Sequence, residues 1–292
     1  MFTQLFGNYL LNKGLVSSAQ LSQALEAQKK TRVKLGVLAI NAGYMTAAQV
    51  DEAHAEQQRA DKRFGDICVE KGFLSAAQVD ELLGKQGQAH LQLGQALVDS
   101  GAMTNTSFAD ALSAYKAENS LSDVDFNDKS GSKVDELIAK LYSFEGEERS
   151  VMLTEYVTLL FKNLIRFIGD DFTPLAPEKI PSARVSFCAE QRICGGGFDC
   201  LTAFDASEQG YIAFASRFAG ETLSDSDEMT DAANGEFLNL HDGLYAVNVS
   251  DEYSAIVNID PQEYGRDITF KGNVRRISLV YPFGTVNFSV IQ

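Results

Sequence analysis

Glycine spacing constrains this chain more than any other feature. Glycines fall at Gly7, Gly36, Gly65 and Gly94, and again at Gly14, Gly43, Gly72 and Gly101, and every step in both series is 29 residues. A fixed period of that length is the signature of stacked supersecondary units. The units read LFGNYLLNKGLVSSAQLSQALEAQ, KLGVLAINAGYMTAAQVDEAHAEQ, RFGDICVEKGFLSAAQVDELLGKQ and QLGQALVDSGAMTNTSFADALSAY. Each is predicted to be a short helix closed by a glycine, then a second helix entered through a small polar residue. The second glycine falls where a left-handed C-terminal cap belongs, and Ser17, Thr46, Ser75 and Thr104 are natural N-caps. Leu21 with Leu25, and Val79 with Leu82 and Leu83, recur at helical spacing. One pair is too short to bury its apolar face, whereas four stacked pairs suffice. Residues 5–116 are therefore expected to form one compact all-α repeat domain of four units, bounded at 1–118.

The remainder differs in charge and texture. Residues 1–118 hold 11 Lys and Arg against 12 Asp and Glu, and the other 174 hold 14 against 28, so nearly all of the net charge of −15 lies beyond the repeats. That asymmetry predicts two units with separate work, and its sign argues against DNA, RNA or an anionic membrane surface as a partner. A hydrophobic content of 45% is enough for a core in each. No run approaches the roughly 18 apolar residues of a membrane span. The start, MFTQLFGNYLLNKG, lacks a basic n-region, an apolar core and a cleavage site, so the chain reads as mature and cytoplasmic. Four cysteines without paired spacing fit a reduced compartment and give no metal-ligand set.

Residues 117–133, AENSLSDVDFNDKSGSK, carry no apolar stripe and read as a flexible connection, with the linker proper at 119–133 and a second domain at 134–292. In that domain a short helix is expected over 134–144 and a longer one over 147–168, ended by Gly169 and Pro174. ARVSFCAEQRI, FDCLTAFDA and QGYIAFASRF are rich in β-branched and aromatic residues and predict a three-stranded meander. SDSDEMTDAANGEFLNLHDGLYAV returns to helix, with Ser224 or Asp225 as N-cap, and three further strands follow. The order predicts an α+β domain with helices on one face of a largely antiparallel sheet.

The repeats resemble the N-terminal domain of type II secretion and type IV pilus assembly ATPases. There the units run R/K-L-G, two or three apolar residues, then G, and end L-x-x-x-L-x-x-Q. In the members called MshEN domains the segment binds cyclic di-GMP, so the resemblance implies that ligand, with candidate residues Lys34, Leu35, Gly36, Gln57, Arg63, Phe64, Gly65 and Gln86. A basic side chain before the L/F-G step would pair with phosphate. The first and last units have Leu5 and Gln92 there, and Tyr115 replaces the closing Gln of the last. The competing reading makes Lys34 and Arg63 solvated helix-end charges and the glycines packing residues. No G-x-x-x-x-G-K-[ST] phosphate loop is present.

In the second domain ASRFAGE followed by SDSDEMTDAANGEFLNLHDG resembles the CheX/CheC chemotaxis phosphatases, whose mark is E-x-x-N on a helix. Here it is Glu236-Phe237-Leu238-Asn239, framed by Gly235 and Gly243. The resemblance implies long helices against a sheet, a homodimer paired through sheet edges, and a CheY-like response regulator as partner. It also implies hydrolysis of the regulator's aspartyl phosphate, with no cofactor of the chain's own and Mg2+ supplied by the regulator. Such hydrolysis is in-line attack by water, which a second protein assists by positioning and electrostatics. Residues i and i+3 share a helix face, so Asn239 would orient the water while Glu236 pairs with the regulator's lysine. Ala232 and Leu244 depart from the family's usual residues, and Thr158, three places after Glu155, leaves the leading helix without a second motif. The alternative is a non-catalytic adaptor that binds a regulator or a motility or pilus component.

Weaker candidates complete the reading. His241 beside the motif is expected at the surface. Cys188, Cys194 and Cys200 are expected to be packing thiols, Gly195 to Gly197 a hairpin turn, and Asp225, Asp227, Glu228 and Asp231 a capped acidic helix start.

Overall fold

The computed structural model describes residues 2–60, 62–84, 88–122, 125, 132–142, 144 and 150–292. Two compact units divide the chain, one over residues 2–128 and one over 129–292.

The first unit contains α1 (Phe2–Asn12), α2 (Ser18–Gln28), α3 (Leu35–Asn41), α4 (Ala47–Gln57), α5 (Phe64–Glu70), α6 (Ala76–Leu83), α7 (Ala89–Asp99) and α8 (Asn105–Glu118). Their limits are written locally. Ser17, Thr46, Ser75 and Thr104 each accept from the backbone amide three residues on, and that residue's side chain returns the bond, which completes four capping boxes. Gly14, Gly43, Gly72 and Gly101 take φ of 65°, 70°, 71° and 73°. Beyond the first three, Leu15, Tyr44 and Phe73 donate back to Leu10, Ala39 and Cys68 in the Schellman pattern. The earlier glycines serve packing instead. A Cβ on Gly36 would lie 2.6 Å from Val50 Cγ1, and one on Gly94 would overlap the Phe108 ring. The helix pairs do not meet in chain order alone, because α1 and α2 pack on α7 and α8 while α3 and α4 meet α5 and α6. Gln28 Nε2 donates to Ala89 O at 2.8 Å, and the Lys34 amide donates to Gln95 Oε1 at 3.0 Å, across 61 residues each.

The second unit has α9 (Ser132–Leu141), α10 (Ser150–Phe167), α11 (Glu208–Ala219) and α12 (Glu228–Tyr253). Its strands are β1 (Thr173–Pro174), β2 (Glu178–Gly195), β3 (Cys200–Ala206), β4 (Val257–Ile259), β5 (Glu263–Tyr281) and β6 (Gly284–Ile291). They form one sheet ordered β1-β5-β6-β3-β2-β4, with β2 and β5 also paired, and all six pairings are antiparallel. The long strands β2 and β5 each serve two main partners, so the ladder β5-β6-β3-β2 returns to β5. Helices α11 and α12 pack against this sheet through Phe204, Phe214, Phe237 and Phe288, with ring centroids 4.4–6.1 Å apart.

Several expectations need correction. QGYIAFASRF is helix α11, not a third meander strand: Ser207 caps its start, Gly220 closes it at φ 73°, and Gly210, Tyr211, Phe214 and Ala215 bury one helical face. The N-cap of α12 is Asp227, which accepts from the Met229 and Thr230 amides at 3.1 Å, rather than Ser224 or Asp225. Residues 147–149 and most of the expected linker lie outside the described residues. Among the described residues no helix is long and apolar enough to cross a membrane.

Candidate functional site

Helix α12 places the E-x-x-N residues by a simple rule. Phe237, Leu238, His241, Asp242 and Tyr245 are buried, at helical spacing, so the opposite face carries Glu236 outward and leaves Asn239 at the boundary, half-buried. Gly235 is smooth for a reason: a Cβ there would collide with the Tyr264 hydroxyl and come 2.9 Å from its ring carbon Cε1. Tyr264 of β5 thus lies against the helix one residue before Glu236. Burial, then the negative Asp231 and Glu236, push its phenol above the ordinary range.

Asn239 is held from the sheet. Gln191 Nε2, on β2, donates to Asn239 Oδ1 at 3.0 Å and to Asp260 O at 2.9 Å. With its carbonyl oxygen engaged, the Asn239 amide has its NH2 as the group to offer, and no partner for it is found among the described residues. The start of the helix is fixed by Asp231, which accepts from Tyr211 Oη at 2.9 Å and Arg266 Nη2 at 2.7 Å. The Arg266 guanidinium lies 4.5 Å from the Phe187 ring centre. Further along, Leu244 and Val247 are exposed, at 43% and 57%.

Behind the exposed face is a buried polar cluster. His241 is fully buried, not at the surface, because it sits mid-helix on the face turned to α10. Asn163 Nδ2 meets its Nδ1 at 3.1 Å, and an amide nitrogen only donates, so the neutral ring carries its proton on Nε2. Burial lowers its pKa to about 3. Asp242 accepts from Tyr156 Oη at 2.8 Å and from Thr202 Oγ1 at 2.5 Å. Burial pushes its carboxyl up to about 7, against the pull of those two bonds. Thr202 Oγ1 also lies 3.0 Å from Gln191 O, which ties this cluster to the strand that holds Asn239. Cys188 and Cys200 are buried and Cys194 half-buried, and burial pushes the Cys188 thiol up to about 12.

No family model matches the chain, and no curated protein matches it. Similar solved structures share part of it. The chemotaxis protein CheX from Desulfovibrio desulfuricans is 18% identical, covering 48% of this chain and 97% of its own, with a TM-score of 0.42. CheX from Vibrio vulnificus is 12% identical over 48% of this chain and 98% of its own, with a TM-score of 0.42. The CheX–CheY–BeF3–Mg2+ complex from Borrelia burgdorferi is 12% identical over 47% and 94%, with a TM-score of 0.40.

A second candidate site lies within residues 2–128. Arg32, Val33, Lys34, Leu35, His54, Gln57 and Phe64 line a cavity of about 590 Å³. Four of the eight residues singled out from the repeats therefore meet there: Lys34, Leu35, Gln57 and Phe64. Lys34 Nζ is 2.6 Å from Asp99 Oδ1 in an exposed pair, and Gln57 Nε2 donates to Lys62 O at 3.4 Å. Gly36 is buried beneath Val50, and Gly65 faces Leu35 and Val79, so neither glycine lines the cavity. Arg63 is exposed at the N-cap of α5 and not on the lining, and Gln86 lies outside the described residues. Among the described residues no group of three or more His, Cys, Asp or Glu is placed to hold a metal ion.

Sequence reasoning missed Gln191, Tyr264, Arg32 and His54. Nothing local marks Gln191 or Tyr264, whose roles arise from strand pairing across long separations. His54 had a signal, since the equivalent positions of the other units are Leu25, Leu83 and Leu112.

Proposed function

We propose that residues 129–292 accelerate hydrolysis of the aspartyl phosphate of a CheY-like response regulator in chemotaxis or motility signalling. The observation that carries this reading is the presentation of Glu236 and Asn239 one turn apart on α12, with the Asn239 oxygen already tied to Gln191. A fixed NH2 is suited to hold a water by one lone pair while the other points at phosphorus. That is catalysis by positioning, and it asks no proton transfer of Asn239. Glu236 supplies a charge for the regulator's lysine, and the Mg2+ of the reaction belongs to the regulator. The test follows the phosphate lifetime of phosphorylated CheY-like regulators with the wild-type chain and with Asn239→Ala. Acceleration by the wild type, lost in the variant, supports the phosphatase. A stable complex with an unchanged lifetime favours the adaptor.

For residues 2–128 we propose cyclic di-GMP as the ligand of the cavity at Lys34. Two cations, a glutamine amide and two aromatic rings on one lining suit a base-bearing phosphate. Calorimetric titration of the full chain with cyclic di-GMP tests this, and Lys34→Ala should weaken the binding.

A further inference from the structure

The four units allow a comparison that isolates one residue. The position 18 residues after the first glycine of each unit is Leu25, His54, Leu83 and Leu112. Leu25 and Leu112 are buried and Leu83 is 47% exposed, so the other three units carry leucine there whether the position is packed or open. In the second unit the same position holds an imidazole, half-buried on the cavity lining, with its ring centroid 4.6 Å from that of Phe64 at an interplanar angle of 38°. Arg32 and Lys34, on the loop between α2 and α3, line the same cavity.

We infer that His54, paired with Phe64, is the base-reading residue of this cavity: it stacks the planar heterocycle of a nucleotide whose phosphate lies by Arg32 and Lys34. The inference rests on the nucleotide reading of the cavity and adds a specificity-determining residue to it. A cavity that took only a simple anion would have no use for an aromatic pair beside its cations. Leucine at 54 would keep the packing of the repeat while removing the ring. Stacking is tolerant of the ring that supplies it, because every aromatic side chain has a π-face. His54→Phe therefore preserves the role and His54→Leu abolishes it.

The test titrates the full chain with cyclic di-GMP by calorimetry, as wild type, His54→Leu and His54→Phe. The expected result is a loss of about tenfold or more in affinity for His54→Leu, and a change within about threefold for His54→Phe. Wild-type affinity in His54→Leu overturns the inference and leaves the cavity's ligand in place. Equal weakening in both variants overturns stacking as the role of the ring. No heat from the wild type overturns the nucleotide reading itself, and this inference with it.

Discussion

Gln191 Nε2 and Asn239 Oδ1 lie 3.0 Å apart, so a residue of the sheet fixes the rotamer of the amide that α12 presents. The same Gln191 nitrogen is held by Asp260 O, and its own backbone carbonyl is bonded by Thr202. The rigidity of the candidate site is thus borrowed from β2 and β3.

Gln191→Leu is expected to free Asn239 to rotate without touching the outward face. Under the proposed phosphatase function, acceleration of phosphate loss should drop about 10- to 100-fold, the cost of losing orientation, while affinity for the regulator stays near wild type. Separate measurement of complex formation and phosphate lifetime checks both halves; a parallel loss of affinity would contradict the positioning role.

Asp242 predicts a pH dependence of stability. Its carboxyl is raised to about 7 in the fold from an ordinary 3.8, so the native state binds the extra proton, and stability present at low pH is lost as pH rises toward 7. His241, lowered to about 3 from 6.5, acts in the opposite sense between those values and masks part of the effect. Asp242→Asn removes the first contribution alone. Its stability relative to wild type should rise by on the order of 2 kcal/mol between about pH 4 and pH 7.5, read from urea midpoints.

Gly94 predicts a steric coupling in the helical unit. A Cβ there would enter the fully buried Phe108 ring, so Gly94→Ala should destabilise residues 2–128 by about 1–3 kcal/mol. Phe108→Val introduces the residue type that faces the equivalent Gly36 and Gly65. A double-mutant cycle on thermal unfolding should show the two changes coupled, with the pair costing less than their sum.

Asp227 caps the helix that carries the candidate site. Asp227→Ala leaves the Met229 and Thr230 amides without their acceptor and should cost about 1 kcal/mol in chemical denaturation.

The parts of the fold that were legible in the sequence are those with local causes. Caps and left-handed glycines lie within a few residues of the helices they end, so the N-caps Ser17, Thr46, Ser75 and Thr104 and the closing glycines Gly14, Gly43, Gly72 and Gly101 could be read from the sequence. At α11 the aromatic and β-branched Tyr211, Ile212, Phe214 and Phe218 suit a strand, while the signals that decide for helix, Ser207 at its start and Gly220 at its stop, lie outside that stretch. For the candidate site, the i, i+3 spacing of Glu236 and Asn239 was visible. The burial of His241 was not, since Leu240 and Asp242 beside it give no hint of which face meets α10. Gln191 and Tyr264 reach α12 only once β2 and β5 are in register with their neighbours.

The contact of α2 with α7 has a consequence for how the helical unit comes apart. In an open row of repeats the terminal pair has one neighbour and can fray while the middle holds. Here the loop after α2 is bonded to the start and middle of α7, so the earliest and latest pairs brace each other. The spatial order becomes first, last, second, third: the first and third pairs are the ends from which the unit can fray, and removing the last pair severs the first from the rest.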